Sequence, residues 1–292
     1  MNSNRKNLPK SEWFGPTARI LQSVYSCKSP VPLFIAKAQQ TRYETGVGGP
    51  PFNPGEYAKA LGITVEEKED MTLDGILKYR GKGGFLIQLK KDAQPYRKNF
   101  TLAHEIAHTF FYDVLVQARQ RNDNSISFRG NNFDQEEERL CDIAAAELLM
   151  PFDKFSSDLL QSEQDEDITP EKLFWLMDRY QVSLSAVAIR ATWIIRNLAC
   201  AFWRRRQHAI NLEWVTPKSL SPLVLCQTGR SSIEEALKGP PGRVITKVDT
   251  FYYCPGYRSK IIRKTSSLKT RSGQVISVLL PTREDNSPEC PF

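Results

Sequence analysis

The stretch that decides the fold is NFTLAHEIAHTFFYD, residues 99–113. It holds His104 and His108, two of the three histidines in the chain, with Glu105 directly after the first. On a helix, positions i and i+4 share one face, so both imidazoles can bind a single metal ion. Glu105 lies about 100° further round the helix, beside that face. The H-E-x-x-H spacing therefore predicts a zinc-binding catalytic helix. The alternative is an amphipathic core helix that carries two hydrogen-bonded histidines.

A catalytic zinc site has three protein ligands and one open position. The remaining histidine, His208, follows three consecutive arginines and is expected on the surface. The stretch DQEEERLCDIAAAELLMP predicts a helix that ends at Pro151 and carries Glu138 and Asp142 on one face. Glu138 can ligate zinc, while Asp142 can accept a hydrogen bond from the second nitrogen of a ligating histidine.

Other polar residues near these two helices are assigned different surroundings. Glu136 and Glu137 are predicted to face solvent in the first turn, and Glu147 is predicted to be exposed because it lies off the Asp142 face. Cys141 is predicted to be a small buried residue and not a ligand. Two residues near the motif could stabilise an oxyanion, but the sequence does not choose between them: Arg97 and Tyr112.

Length and composition indicate a globular protein of two or three domains. The chain has 292 residues, is 40% hydrophobic and 25% charged, and carries a formal net charge of +7. The first twenty residues have no apolar core typical of a secretory signal, and the longest apolar run is interrupted by Arg190 and Arg196. Six scattered cysteines without a CxxC pair favour reduced thiols. We expect a cytoplasmic protein without a membrane span.

The pattern along the chain predicts an α+β protein. A capped helix starts at Asn53-Pro54, ITVEEKED predicts a strand, and GILKY and FLIQL predict a hairpin around RGKGG. FLIQL is expected either at a sheet edge, where an extended substrate can pair with it, or inside the sheet. The helix with the two histidines is expected to begin near Phe100, and an exposed loop is expected after it. Helix starts at Thr169-Pro170 and Ser183 predict a helix–turn–helix-like pair.

Four segments are predicted on this basis. They are an N-terminal arm (1–49), a metallopeptidase domain (50–155), the helix–turn–helix-like segment (156–200) and a basic C-terminal domain of mixed α/β type (201–292). From Asn197 onward the chain has 15 Lys and Arg against 7 Asp and Glu. This balance is compatible with nucleic acid or an acidic protein as a partner, and equally with a solvated basic surface.

RKNFTLAHEIAH, followed about thirty residues later by ExxxDxxAAxLLMP, resembles the ImmA/IrrE family of zinc metallopeptidases. The resemblance runs from about Pro50 to Ala191. It implies a zincin-like domain of the gluzincin type, with one zinc ion on His104, His108 and Glu138, and with Glu105 catalytic. Cys141 and Ala144 depart from the family, which more often has Ala and Phe there.

The resemblance also implies a function. Members cleave, or are proposed to cleave, helix–turn–helix transcriptional repressors, so the expected substrate is such a protein and the expected outcome is the switching on of stress-response or mobile-element genes. Radiation-response members carry a GAF-like sensor domain where this chain has its C-terminal region. The alternatives are a non-catalytic zinc-bound regulator and a DNA-binding module. The mainly apolar SLSAVAIRATWIIR segment favours packing over DNA reading.

Overall fold

The structure is a computed structural model that describes residues 13, 15–81, 84–121, 135–161, 168–207, 209–217, 223–225, 230–253 and 260–281. The chain divides into two compact units, Met1–Pro151 and Phe152–Phe292. Each unit combines helices with one sheet, which confirms the α+β class. The zincin-like and GAF-like folds and the four predicted segment boundaries stay predictions.

The first unit contains five helices and three strands among the described residues. They are α1 (Pro16–Tyr25), α2 (Val31–Thr45), α3 (Pro54–Ala60), β1 (Thr64–Lys68), β2 (Gly75–Tyr79), β3 (Phe85–Lys90), α4 (Pro95–Arg121) and α5 (Gln135–Leu149).

The three-stranded sheet has the order β1-β3-β2. β2 and β3 form the predicted antiparallel hairpin, and β1 runs parallel to β3. FLIQL belongs to β3, which pairs with both β1 and β2, so the internal strand is the correct one of the two alternatives. The outer strand next to it is β2. Because β3 is paired on both sides, its backbone is not available to a substrate, and among the described strands β1 and β2 are the outer ones of this sheet.

The helix starts follow partly from local sequence. Asn53 caps α3 by accepting a hydrogen bond from the Gly55 backbone N–H at 2.9 Å, as predicted. The start near Phe100 is wrong, because α4 begins at Pro95, where the fixed φ angle of proline favours a first helical turn. The helix also continues to Arg121, so the expected loop does not begin directly after the motif, and its remainder lies outside the described residues.

The core of the first unit lies between α2, α4 and α5. Phe34 of α2 is fully buried and contacts Phe111 of α4 with ring centroids 4.6 Å apart. On α5, Leu140 and Leu148 are also fully buried. α4 and α5 are thus held side by side by apolar packing, with their polar residues between them and on their flanks.

The second unit begins with three helices, α6 (Phe152–Leu160), α7 (Pro170–Tyr180) and α8 (Leu184–Ile194). The predicted starts at Thr169-Pro170 and Ser183 are confirmed. α8 exposes Ile189 and Trp193, whereas its arginine, Arg190, is only 4% exposed. A DNA-reading helix presents polar and basic side chains to the groove. The outward face of α8 is instead largely apolar.

The described residues in the rest of the second unit form a six-stranded antiparallel sheet and one helix. They are β4 (Ala199–Arg206), β5 (Ala209–Thr216), β6 (Leu223–Leu225), α9 (Ser232–Lys238), β7 (Val244–Tyr253), β8 (Lys260–Lys269) and β9 (Val275–Pro281). The strand order is β5-β4-β9-β8-β7-β6. The core includes Trp203, which stacks on Phe251 at 6.0 Å. Across the described part of the chain, no helix is both long and apolar enough to cross a bilayer.

Candidate metal centre

α4 places His104 and His108 on one face, one turn apart. Their Nε2 atoms lie 3.2 Å from each other, and the side chains are 14% and 20% exposed. The opposite side of the helix, with Ile106 and Phe110, is buried in the core. The apolar residues therefore fix the rotation of α4, and the two imidazoles are left at a partly open surface beside α5.

Glu138 completes the arrangement from the first turn of α5. Its Oε2 lies 3.0 Å from His104 Nε2, and its Oε1 lies 3.6 Å from His108 Nε2. Zinc–nitrogen and zinc–oxygen bonds of 2.0–2.1 Å put neighbouring ligand atoms about 3.3 Å apart in a tetrahedron. The three observed separations are close to that value. His104, His108 and Glu138 therefore lie close enough together that they could hold one metal ion.

Asp142 lies one turn further along α5 and contacts the other nitrogen of His104. The distance from His104 Nδ1 to Asp142 Oδ1 is 2.9 Å. If Nδ1–H of a neutral imidazole donates to Asp142, the Nε2 lone pair faces a carboxylate oxygen of Glu138. Two acceptors at 3.0 Å repel each other unless a proton or a metal ion lies between them. His104 Nε2 and the Glu138 carboxylate thus favour a cation between them.

The titration of His104 reflects the same electrostatics. Burial lowers its pKa, but the hydrogen bonds with Asp142 and Glu138 and the nearby charges of Asp142 and Glu105 outweigh burial and raise the pKa to about 9. In the absence of a metal ion, the site therefore holds a proton among its carboxylates. A divalent cation can satisfy the same negative surroundings.

Glu105 is 7% exposed and points away from the core face of α4 toward β2. A Cβ at Gly75, the first residue of β2, would lie 3.0 Å from both Cγ and Oε1 of Glu105 and 2.5 Å from Cγ2 of Thr101. The backbone of β2 thus approaches Glu105 so closely that only glycine fits without a shift. Gly75 was not predicted from sequence, where its only signal is a glycine at the start of a predicted strand.

Cys141 is a further residue of α5 at this centre. It is fully buried, as predicted, and its Sγ lies within 4.8 Å of ring nitrogens of His104 and His108. Burial raises the pKa of this thiol well above its usual value, and the charges of Glu138, Glu105, Glu137 and Asp142 add to the effect. The prediction that Cys141 is not a ligand stays untested. Its position three residues after Glu138, nearly on the same helix face, is the signal that could have drawn attention to it.

Three acidic residues of α5 differ from the predictions. Glu136 and Glu137 do not face solvent, because they are half-buried and accept hydrogen bonds from the backbone N–H of Gly15 and the hydroxyl of Thr17. Glu147 is not exposed but 2% accessible, and it accepts a hydrogen bond from Gln39 at 3.1 Å. All three misjudgements have one cause, which is that α1 and α2 pack against α5.

Of the three remaining candidates, the structure describes the side chain of Arg97 only. Arg97 donates from Nε to Asp74 at 2.7 Å and is largely exposed, so its guanidinium already has a carboxylate partner. The side chain of Tyr112 and the whole of His208 lie outside the described residues.

Comparison with known proteins is consistent with this geometry. Residues 58–192 match the IrrE N-terminal-like domain of peptidase family M78. The chain is 38% identical over 66 residues to the radiation response metalloprotease IrrE of Deinococcus radiodurans, an alignment that covers 23% of this chain. The same alignment covers 19% of that relative, which is about a fifth of its length.

A solved structure of a Mycobacterium tuberculosis transcriptional regulator is similar in part. It has a TM-score of 0.49 and 14% identity, with 91% of this chain and 79% of that chain covered. A likeness at this level carries no argument about function.

Proposed function

Because the chain contains a peptidase domain of the ImmA/IrrE type, we propose that this protein is a zinc-dependent endopeptidase. The metal ligands would be His104, His108 and Glu138, with one zinc ion per chain. The observation that carries the proposal is the convergence of two imidazole nitrogens and one carboxylate within 3.0–3.6 Å of one another, beside a buried glutamate.

The residues divide the chemistry among them. When bound, zinc polarises the scissile carbonyl and makes water acidic enough to attack near neutral pH. Glu105 takes the proton from the attacking water and returns it to the leaving amine. Asp142 keeps the proton of His104 on Nδ1, so that Nε2 stays available as a ligand.

The strand β2 would guide the substrate toward Glu105. It is an outer strand of the three-stranded sheet, and it begins at Gly75, next to the Glu105 side chain. An extended peptide that adds to the outer edge of β2 would be held by backbone hydrogen bonds, which require no particular substrate sequence. The proposal therefore places the peptide at β2 and not at β3.

We further propose that the substrate is a protein, specifically a helix–turn–helix transcriptional repressor whose cleavage switches on a stress-response or mobile-element gene set. The support for this substrate class is the family resemblance. The non-catalytic alternative, a zinc-bound regulator, gives no reason for Glu105, because a buried carboxylate next to the ligands is needed for proton transfer and not for metal binding.

The test compares new protein N-termini in cells that express the wild-type chain or the isosteric Glu105→Gln variant, with zinc supplied. We expect one or a few cuts that require Glu105, and we expect the variant to bind zinc with wild-type stoichiometry. Glu147→Gln is the matched control, because it neutralises another buried carboxylate of the same unit and should leave the cuts unchanged. Identical N-termini from wild type and Glu105→Gln, under basal and DNA-damaging conditions, would refute the protease.

A further inference from the structure

The first turn of α5 is held by residues at the N-terminal end of the first unit. The Gly15 backbone N–H donates to Glu136 Oε2 at 2.8 Å, and the Thr17 hydroxyl donates to Glu137 Oε1. The guanidinium of Arg139 lies 4.9 Å from the ring centroid of Trp13. Three of the four successive side chains from 136 to 139 are thus engaged by residues 13–17, and the fourth, Glu138, faces the histidines of α4.

Helix geometry explains this division. Successive residues are about 100° apart around a helix, so residues 139, 136 and 137 span an arc of about 160°. Residue 138 points about 180° away from the middle of that arc. The first turn of α5 therefore lies between α1 on one side and the His104 and His108 face of α4 on the other. Contacts with α1 set the rotation of the first turn of α5, and this rotation turns Glu138 toward His104 and His108.

The position of Glu138 makes such support necessary. It lies in the first turn of α5, where the backbone N–H groups have no partners within the helix and where helices fray most readily. A metal ligand in a fraying turn is poorly ordered. The conformational entropy that it loses when metal binding orders it reduces the affinity of the site for the metal. The backbone of α1 assists, because its N-terminal end carries partial positive charge and attracts the carboxylates of Glu136 and Glu137.

The three consecutive carboxylates also compete. Glu136, Glu137 and Glu138 have the same side chain, and a rotation of the turn by about 100° would bring Glu137 in place of Glu138 toward the histidines. Hydrogen bonds from Gly15 and Thr17 hold two of them on the α1 side. They thereby leave Glu138 as the carboxylate that faces His104 and His108.

We propose that α1 and its N-terminal flank, residues 13–17, position the metal ligand Glu138 by clamping the first turn of α5. This inference rests on the proposed metal site. It assigns Thr17 and Gly15 as positioning residues, which touch neither metal nor substrate. It also links the N-terminal end of the chain to metal affinity, so that release of α1 from α5 weakens zinc binding.

The experiment uses Thr17→Val, which removes the hydroxyl donor but keeps the shape of the side chain, and Thr17→Ser, which keeps the hydroxyl. The matched control is Gln39→Ala, which removes a hydrogen bond to Glu147 in the last turn of α5, about 13 Å along the helix from Glu138. Zinc dissociation constants are measured by competition with a chelator. Hydrogen exchange of residues 135–141 is measured in the full-length metal-free protein.

We expect Thr17→Val to raise the zinc dissociation constant about tenfold, the lower end of the effect of residues that orient ligands. Its first turn of α5 should also exchange faster, whereas Thr17→Ser and Gln39→Ala should match the wild type in both measurements. If Thr17→Val binds zinc as tightly as Gln39→Ala, the inference is overturned while the proposed function stands. If the wild-type protein binds no zinc, the proposed function itself fails and the inference with it.

Discussion

The close approach of β2 to α4 predicts the effect of Gly75→Ala. The added Cβ would meet Thr101 Cγ2 at 2.5 Å and both Cγ and Oε1 of Glu105 at 3.0 Å. Ordinary contacts begin near 3.4 Å, so the Thr101 methyl must move by about 0.9 Å and the Glu105 side chain by about 0.4 Å. Gly75 does not have positive φ, so the effect of alanine is steric and not conformational.

These shifts have a cost for stability and a larger one for catalysis. Overpacking of this kind costs about 1–3 kcal/mol, of which about 0.4–1 kcal/mol is offset because alanine restricts the unfolded chain. A catalytic group that moves by about 1 Å can lose about 100-fold in rate, so the smaller shift of Glu105 should lower kcat/KM by about 10- to 100-fold. Zinc affinity should not change, because the added methyl does not touch a ligand.

The assay follows cleavage of the substrate that the comparison of N-termini identifies, together with urea unfolding and zinc titration. Gly48→Ala is the control, because a Cβ there meets nothing within 4 Å. Adding Thr101→Ser to Gly75→Ala removes the shortest contact but leaves both contacts with Glu105. The double variant should regain stability and remain slow. Wild-type kcat/KM in Gly75→Ala would show that the position of Glu105 does not limit the reaction and would refute the reasoning.

Three further predictions concern the metal centre and the second unit. Zinc at about 100 times its dissociation constant should add about 2.7 kcal/mol to the stability of the folded state. Chelation should therefore lower the melting temperature of the wild type, measured by calorimetry, but not that of His104→Ala. Calorimetric curves that do not respond to zinc would contradict a zinc site. Asp142→Asn should weaken zinc binding by about 10- to 100-fold in chelator competition, because Asp142 orients His104, and unchanged affinity would exclude that role. Burial raises the pKa of Asp249 above 3.8, despite hydrogen bonds from Ser232, so its folded carboxyl keeps a proton that the unfolded chain has lost. The contribution of this carboxyl to stability is present below its unfolded pKa and is lost as the pH rises through the folded pKa. The unfolding free energy of Asp249→Asn should therefore improve relative to wild type as the pH rises above the unfolded pKa of the carboxyl, and a difference that is independent of pH would show that burial of the carboxyl is not the cause.

Local sequence determined those features of the protein that depend on short-range geometry. The shared face of His104 and His108 follows from helical spacing alone, as does that of Glu138 and Asp142. The cap at Asn53 and the hairpin around RGKGG depend on the hydrogen-bonding and conformational properties of a few adjacent residues, and both were predictable for that reason.

Tertiary structure decided the features that depend on which elements pack together. The burial of Glu136, Glu137 and Glu147 follows from the packing of α1 and α2 on α5, which no residue within α5 reveals. The internal position of FLIQL depends on β1, which pairs with β3 from a separate part of the chain. The approach of Gly75 to Glu105 likewise requires two residues that are thirty positions apart, on different elements, to meet. Such contacts are set by the burial of apolar surface from many segments at once, and a pattern read along one segment does not contain them.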